Sequence, residues 1–132
     1  MSIKERIVKR SIGVLAVAVL ALAACGGGNG GDDVDDTSPD AVAAGQEVFS
    51  TTCLACHGPN GEGIEGLGTD LTTSQFVRDL SDDELVAYLE VGRPADDPAN
   101  TTGIAMPAKG GRPTLTTEDL ANVVAFLRTI NS

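Results

Sequence analysis

Apolar residues recur at steps of three and four in three stretches beyond residue 38 of this 132-residue chain, and that period predicts amphipathic helices. The first helix is expected to begin at Ser38-Pro39, because serine is a good N-cap and proline suits the first helical position. It places Val42, Gly45 and Phe49 on one face. A glycine inside a helix costs about 1 kcal/mol relative to alanine, so Gly45 is expected to permit the close approach of another helix.

The other two helices carry capping signals as well as an apolar face. Ser81 and Glu84 have the spacing of a capping box, and Gly92 is expected to end the helix that follows them. The last helix begins at the Thr116/Thr117 cap. Its predicted buried stripe consists of Leu120, Val123, Val124 and Leu127, with Phe126 and Ile130 beside it. A short helical piece is expected around residues 74–80. No stretch shows strand alternation, so the predicted class is all-α.

Two long loops separate these helices. The first follows residue 57 and contains five glycines interspersed with Ile64, Leu67 and Leu71, which predicts an ordered loop with an apolar side. The second, residues 93–115, contains four prolines and shows no sustained period, and so long a loop in a small domain needs something to organise it. The chain has three Phe, one Tyr and no Trp. A core with so few large side chains often needs an additional stabilising element, and a prosthetic group would supply one.

The N-terminal segment, residues 1–24, has the pattern of a bacterial lipoprotein signal. Four basic residues precede an apolar run of 13 residues, which is shorter than the ~20 residues of a membrane span and typical of a secretory signal. Leu22-Ala23-Ala24-Cys25 resembles a lipobox, in which the cysteine is lipidated. Ordinary cleavage after Ala24 and an uncleaved anchor are the alternatives. Lipidation of Cys25 predicts an exported, membrane-anchored protein on the periplasmic or extracytoplasmic face of the cell envelope.

Charge and composition narrow the class of partner. Residues 25–38 are rich in Gly and Asp, which predicts a flexible tether and leaves residues 39–132 as the folded domain. Without residues 1–24 the chain keeps five basic and eighteen acidic residues, a net charge of −13. Nucleic-acid binding is not expected, because it requires clustered Lys and Arg. An acidic domain favours a protein partner with a basic docking patch.

The candidate chemistry lies in Cys53-Leu54-Ala55-Cys56-His57, which holds two of the three cysteines and the only histidine. A redox dithiol pair would stand at a helix N-terminus in a βαβ setting, whereas this pair stands at the end of a predicted helix with no strand nearby. A structural zinc requires four ligands, and this segment offers three. Cys-x-x-Cys-His is also the attachment signature of c-type haem, and its spacing lets both thiols face one haem edge while the histidine reaches the iron. A chance match is the remaining interpretation.

The rest of the domain agrees with haem attachment, because it resembles class I cytochrome c from residue 39 to about residue 130. The resemblance is carried by Gly45-x-x-x-Phe49 for the N-terminal helix, Cys53 to Gly58 for the haem motif, Gly103-Ile104-Ala105-Met106-Pro107 for the methionine loop, and Val123 to Leu127 for the C-terminal helix. It implies a small all-α fold of three to five helices with long loops around one covalent haem c. It also implies attachment through Cys53 and Cys56, with His57 and Met106 as the iron ligands.

Several neighbouring positions carry further predictions from this resemblance. Thr69 stands where the family usually has a proline whose carbonyl accepts a hydrogen bond from the proximal histidine. A backbone carbonyl is still available, so the bond is expected to persist. Three apolar residues are expected against the haem: Leu67, Leu71 and Ile104. Three cations flank the methionine loop, and each is equally a candidate partner of a haem propionate and an ordinary surface residue: Arg93, Lys109 and Arg112.

The implied function is electron transfer rather than catalysis, because His/Met ligation raises the reduction potential and occupies both axial positions of the iron. The chain is therefore not expected to be an enzyme. It is expected to pass single electrons between membrane-bound respiratory or photosynthetic complexes, such as an oxidase or a reductase. One alternative is a haem peroxidase or ligand-binding sensor in which Met106 dissociates. Another is a fixed haem subunit of a larger oxidase or reductase complex.

Overall fold

The computed structural model describes residues 37–132, and helices dominate this part of the chain. Its five α-helices are α1 Pro39–Val48, α2 Leu54–His57, α3 Gln75–Asp79, α4 Asp82–Val91 and α5 Thr117–Ile130. A π-helical turn, Phe49–Cys53, joins α1 to α2, and a 3-10 turn, Ala108–Gly111, precedes α5. Two isolated bridges are the only β pairing in residues 37–132. The predicted all-α class and helix number are confirmed, whereas Cys25, the signal segment and most of the tether lie outside the described residues.

The predicted helix ends are formed by side-chain hydrogen bonds. Ser38 Oγ accepts from the amide of Ala41 at 3.2 Å at the start of α1. Both halves of the capping box between Ser81 and Glu84 are present at the start of α4. A second capping box, between Thr116 and its N3 residue, begins α5. Each box satisfies amides that the first helical turn leaves without intrahelical partners.

The core lies where α1 crosses α5. A Cβ at Gly45 would overlap the main-chain carbonyl of Asn122, so the predicted close approach is present and needs a glycine. Phe49 packs on Phe126 with ring centroids 5.2 Å apart. Phe49 and Val124 are essentially inaccessible, with exposed fractions of 1% and 0%, and each contributes about 1.5–3 kcal/mol by leaving water. This crossing forms the back of the site described below.

Arg128 of α5 binds the junction between α3 and α4. Its guanidinium donates to the Leu80 carbonyl at 2.6 Å and to the Val77 carbonyl, and Nε lies 2.7 Å from Asp82 Oδ1. One half-buried cation therefore satisfies two carbonyls and a carboxylate where two short helices meet. No helix within residues 37–132 is both long and apolar enough to cross a bilayer.

Candidate functional site

The helix changes from α-helical to π-helical pitch just before the Cys53–His57 segment. Thr51 Oγ1 donates to the carbonyls of Glu47 and Val48 at 3.0 and 3.1 Å, and Ser50 donates to that of Glu47. Such back-bonding competes with the regular helical pattern, and π turns are frequent at functional sites. The helix then ends at Gly58, whose φ of 77° is in the left-handed region. The two thiols and the imidazole therefore lie at the C-terminal end of a helical run, as the sequence predicts.

The four residues predicted as haem ligands and attachment points meet at one place. Two cavities that share much of their lining, of about 110 and 220 Å³, are both lined by Cys53, His57 and Met106, and Cys56 lines the smaller. The larger cavity extends between the π-helical turn, α4 and α5, and its apolar walls include Phe49, Leu85, Leu89, Val123 and Leu127. The three predicted apolar neighbours also line the site: Leu67 and Ile104 the smaller cavity, and Leu71 the larger.

Cys53, the first of the two thiols, does not have the character of a reactive redox cysteine. Both are free rather than disulfide-bonded. Burial, with a smaller contribution from Cys56, raises the pKa of Cys53 to about 11, whereas redox-active cysteines have lowered pKa values. No group of three or more His, Cys, Asp and Glu side chains in residues 37–132 is placed to hold a metal ion by itself. The geometry therefore favours neither the dithiol nor the zinc interpretation.

The ring of His57 is oriented by the loop that follows it. Its Nδ1 lies 2.8 Å from the Thr69 carbonyl oxygen. Because a carbonyl only accepts, Nδ1 carries the proton, and the lone pair of Nε2 is left for a metal. The expected hydrogen bond is thus present, although a threonine stands at the position where the resemblance leads one to expect proline.

Asp70 restrains the peptide that carries this carbonyl, and sequence reasoning missed its role. Its carboxylate accepts from the Thr72 amide and hydroxyl at 2.7 and 2.6 Å and from the Thr73 hydroxyl at 3.1 Å. These bonds, those from Thr72 first, lower the pKa of Asp70. On the other side, a Cβ at Gly63 would come within 2.6 Å of the Asp70 amide. An Asp followed by two threonines is an Asx-turn signal that could have revealed this restraint.

Met106 is held through its main chain. It exchanges two hydrogen bonds with Arg93, Arg93 N to Met106 O at 2.8 Å and Met106 N to Arg93 O at 2.9 Å. The preceding Gly92 has φ 74°, and a Cβ there would collide with the Met106 carbonyl. Asn100 closes the rest of the loop by donating to the carbonyls of Pro94 and Ile104 at 3.0 and 2.8 Å. Residues 93–106 of this loop are therefore organised by this bridge and by one asparagine.

The structure separates the three cations around the methionine loop. Arg93 lines both cavities. Lys109 Nζ donates to the Leu115 carbonyl at 2.7 Å, and Arg112 donates to the hydroxyls of Thr51 and Thr52 at 3.1 and 3.3 Å. Arg93 alone among the three lines the cavities.

The residues around the cavities fit a covalently attached haem. Two thiols, an imidazole whose second nitrogen is already engaged, and a thioether line the same apolar space. Nitrogen and thioether donors are the axial pair of c-type haem iron, and the thiols supply the attachment chemistry. The donor set and the largely apolar walls therefore suit this group.

Comparisons with known proteins point in the same direction. The family model described as cytochrome c matches residues 42–131. The chain is 29% identical over 93 residues to the cbb3-type cytochrome c oxidase subunit CcoP of Azospirillum brasilense; the match covers 69% of this chain and spans about 31% of that protein's length. The crystal structure of cytochrome CL from Methylophaga aminisulfidivorans aligns with a TM-score of 0.54 and 21% identity, over 89% of this chain and 77% of that one. At that identity the structural likeness bears on the fold alone.

Proposed function

The chain belongs to the cytochrome c family, and on that premise we propose that residues 39–132 form a monohaem electron carrier. Cys53 and Cys56 would bond the haem covalently, and His57 and Met106 would be its axial ligands. The observation that carries the proposal is that these four residues line one apolar space while the Thr69 carbonyl engages His57 Nδ1 at 2.8 Å. Haem held there would supply a one-electron Fe(III)/Fe(II) couple.

The protein's own residues would keep that site rigid. His57 is oriented by the Thr69 carbonyl, and Met106 is paired with Arg93 by two main-chain hydrogen bonds. Ligands held in this way keep their places in both oxidation states, which favours electron transfer. They also leave little room for a substrate at the metal, so we propose a carrier and not an enzyme.

The charge of the domain supports a basic redox partner. Residues 37–132 carry fourteen acidic and five basic residues. All five cations donate hydrogen bonds within the domain: Arg78, Arg93, Lys109, Arg112 and Arg128. Such a surface would steer toward a positive docking patch. Because the matched relative is an oxidase subunit, the partner we propose is a membrane-bound oxidase or reductase.

The N-terminal pattern supports a location at the cell envelope. We propose that residues 1–24 are removed as a lipoprotein signal, that Cys25 is lipidated, and that residues 25–38 tether the carrier to the membrane. A short tether raises the effective concentration of a carrier near membrane-bound partners.

The mass of the intact purified protein tests these assignments together. We expect the processed chain plus one haem that persists through acid–acetone extraction, plus the added mass of a lipidated N-terminus. Haem that extracts completely would overturn attachment through Cys53 and Cys56. A retained haem on an unlipidated chain would overturn only the anchoring.

The similarity to an oxidase subunit also favours a second candidate, a fixed haem subunit of a larger complex. Purification in mild detergent separates the two: stable co-elution with an oxidase or reductase supports the subunit, and release as a single chain supports the carrier. Carbon monoxide titration of the reduced protein tests the peroxidase or sensor alternative, because avid binding requires that Met106 leave the iron.

A further inference from the structure

Arg93 is a half-buried cation that lies against two aromatic rings, Phe76 and Tyr88, which together form an aromatic seat. Its guanidinium carbon lies 4.7 Å from the ring centre of Phe76 and 5.1 Å from that of Tyr88. The two rings pack edge to face with centroids 4.8 Å apart, so they form one fixed surface. Cation–π contacts of this kind are stronger when the cation is desolvated, and the Arg93 side chain is only 19% exposed. The seat therefore holds the guanidinium in one place at the cavity wall.

Most of the hydrogen-bonding capacity of Arg93 is unused in the described part of the chain. The side chain makes one hydrogen bond there, from Nη1 to the Ala99 carbonyl at 3.2 Å. A carboxylate oxygen of Asp97 is 4.0 Å from Nε, which is too long for a hydrogen bond. A guanidinium has five donors in a planar fork that matches a carboxylate. Since Arg93 lines both cavities, its free donors are available to an anion bound there.

The other cations of the domain are placed differently. None of the other four in residues 37–132 lines either cavity: Arg78, Lys109, Arg112 and Arg128. Haem carries two carboxylates, and a carboxylate in a half-buried space needs a charged or hydrogen-bonding partner. Within the described domain, Arg93 is the cation available for this role.

Resting on the proposed function, we propose that Arg93 links a carboxylate of the haem to the axial thioether. The guanidinium holds the carboxylate, while the main chain of the same residue holds Met106 through two hydrogen bonds. Arg93 is thus a binding residue for the carboxylate and a positioning residue for Met106.

The link has two measurable consequences. A cation near the iron stabilises the reduced form, which carries one more negative charge, so its removal lowers the midpoint potential. Removal also leaves the carboxylate without its partner and frees the residue that anchors Met106. The thioether then competes less well with an added ligand.

Imidazole binding to the ferric holoprotein tests the link, with Arg93→Gln, Arg93→Lys and the control Arg112→Gln. Arg112 flanks the same loop, but it lines neither cavity, and its guanidinium bonds to the hydroxyls of Thr51 and Thr52. We expect imidazole affinity to rise roughly tenfold in Arg93→Gln, the size of one charged hydrogen bond. We also expect a lower midpoint potential and a shifted propionate bending band in the resonance Raman spectrum. Arg93→Lys should restore part of each change, and Arg112→Gln should leave imidazole affinity and the propionate band as in the wild type.

Wild-type imidazole affinity in Arg93→Gln, or an equal rise in Arg112→Gln, would overturn the link. If Arg93→Gln does not accumulate with haem, Phe76→Leu decides, because it removes half of the seat and keeps the cation. A smaller rise in affinity supports the link, and no rise refutes it. A wild-type protein without covalent haem would instead refute the proposed function.

Discussion

The α1–α5 crossing and the 93–115 loop both border the cavities, but different forces hold them. At the crossing, Phe49 and Val124 are almost fully buried, and Gly45 lets the two main chains touch. In residues 93–106 of the loop, Ile104 is 45% exposed, and the chain is held by the Arg93–Met106 bridge and the side chain of Asn100.

The difference shows that two regions around one prosthetic group are stabilised by different interactions. Apolar burial stabilises the crossing within the protein itself, while the loop positions Met106, the proposed iron ligand, with a few directional contacts. Because these contacts bury little apolar surface, the loop is expected to depend more strongly on the group it encloses. The predictions below test that contrast, from the largest expected effect to the smallest.

His57→Ala should have the largest effect, because it should prevent the haem attachment on which both the crossing and the loop are expected to depend. We expect no holoprotein, or an unfolded product, because the thin core loses the group that fills it. Haem absorbance after acid–acetone extraction measures covalent attachment, and far-ultraviolet circular dichroism measures folding. Normal folding of this variant without haem would show that neither the crossing nor the loop needs the prosthetic group.

Met106→Ala should affect the loop side of the site and spare the crossing. The protein should fold with its haem, lose the weak near-infrared band of methionine-ligated ferric haem, and fall in midpoint potential by about 100 mV or more, ~2.3 kcal/mol per electron. Spectroscopy and redox titration measure this. A variant that keeps the band would exclude Met106 as the ligand.

Two glycine substitutions separate packing from backbone strain. Gly45→Ala forces α1 away from α5, which costs about 3 kcal/mol, less about 1 kcal/mol gained in helix propensity. Gly66 has φ 72°, and no atom lies within 4 Å of the position that a Cβ would take there, so Gly66→Ala should cost only ~1 kcal/mol of strain. Denaturant unfolding of the holoproteins measures both. Equal losses would contradict the assignment of packing to the crossing.

Asp70→Ala should alter His57 without touching the iron. Freeing the Thr69 peptide weakens the bond to Nδ1 and makes the imidazole a poorer donor. The midpoint potential should rise by roughly 40 mV or less, the equivalent of ~1 kcal/mol. Asp79→Ala is the control, because it removes an exposed carboxylate whose side-chain partner within residues 37–132 is Gln75. An identical rise in the midpoint potential of Asp79→Ala would show that the change comes from the loss of a negative charge and not from the bond to His57.

The capping box of α4 should give the smallest effect, and it should depend on pH. Hydrogen bonds from Ser81 lower the pKa of Glu84 below its ordinary 4.5. A lowered pKa stabilises the folded state above the ordinary value, and the benefit disappears as pH falls through the folded-state pKa. The stability difference between wild type and Glu84→Ala should therefore be constant above pH 4.5 and shrink below it. Urea unfolding across this range measures it, and a difference independent of pH would contradict the role of the carboxylate.

The helices were predictable because their signals are local. The caps at Ser38, Ser81 and Thr116 and the apolar stripe of α5 follow from spacing along the chain, and each was found where it was expected. The predicted role of Gly45 also held, since a mid-helix glycine has few purposes other than close packing. The predicted apolar side of the first loop held only in part, because Ile64 is 41% exposed.

The sequence by itself determined the helix ends, the Cys53–Cys56–His57 motif and the candidate methionine, because these depend on neighbours a few residues apart. The tertiary structure decided what depends on residues distant in the chain. It brought Met106 into the same cavity as His57, gave Asp70 the restraint of the Thr69 peptide, and separated Arg93 from Lys109 and Arg112. The physical reason is that directional contacts between loops require particular atoms to approach one another in space. Spacing along the chain does not specify which atoms do so.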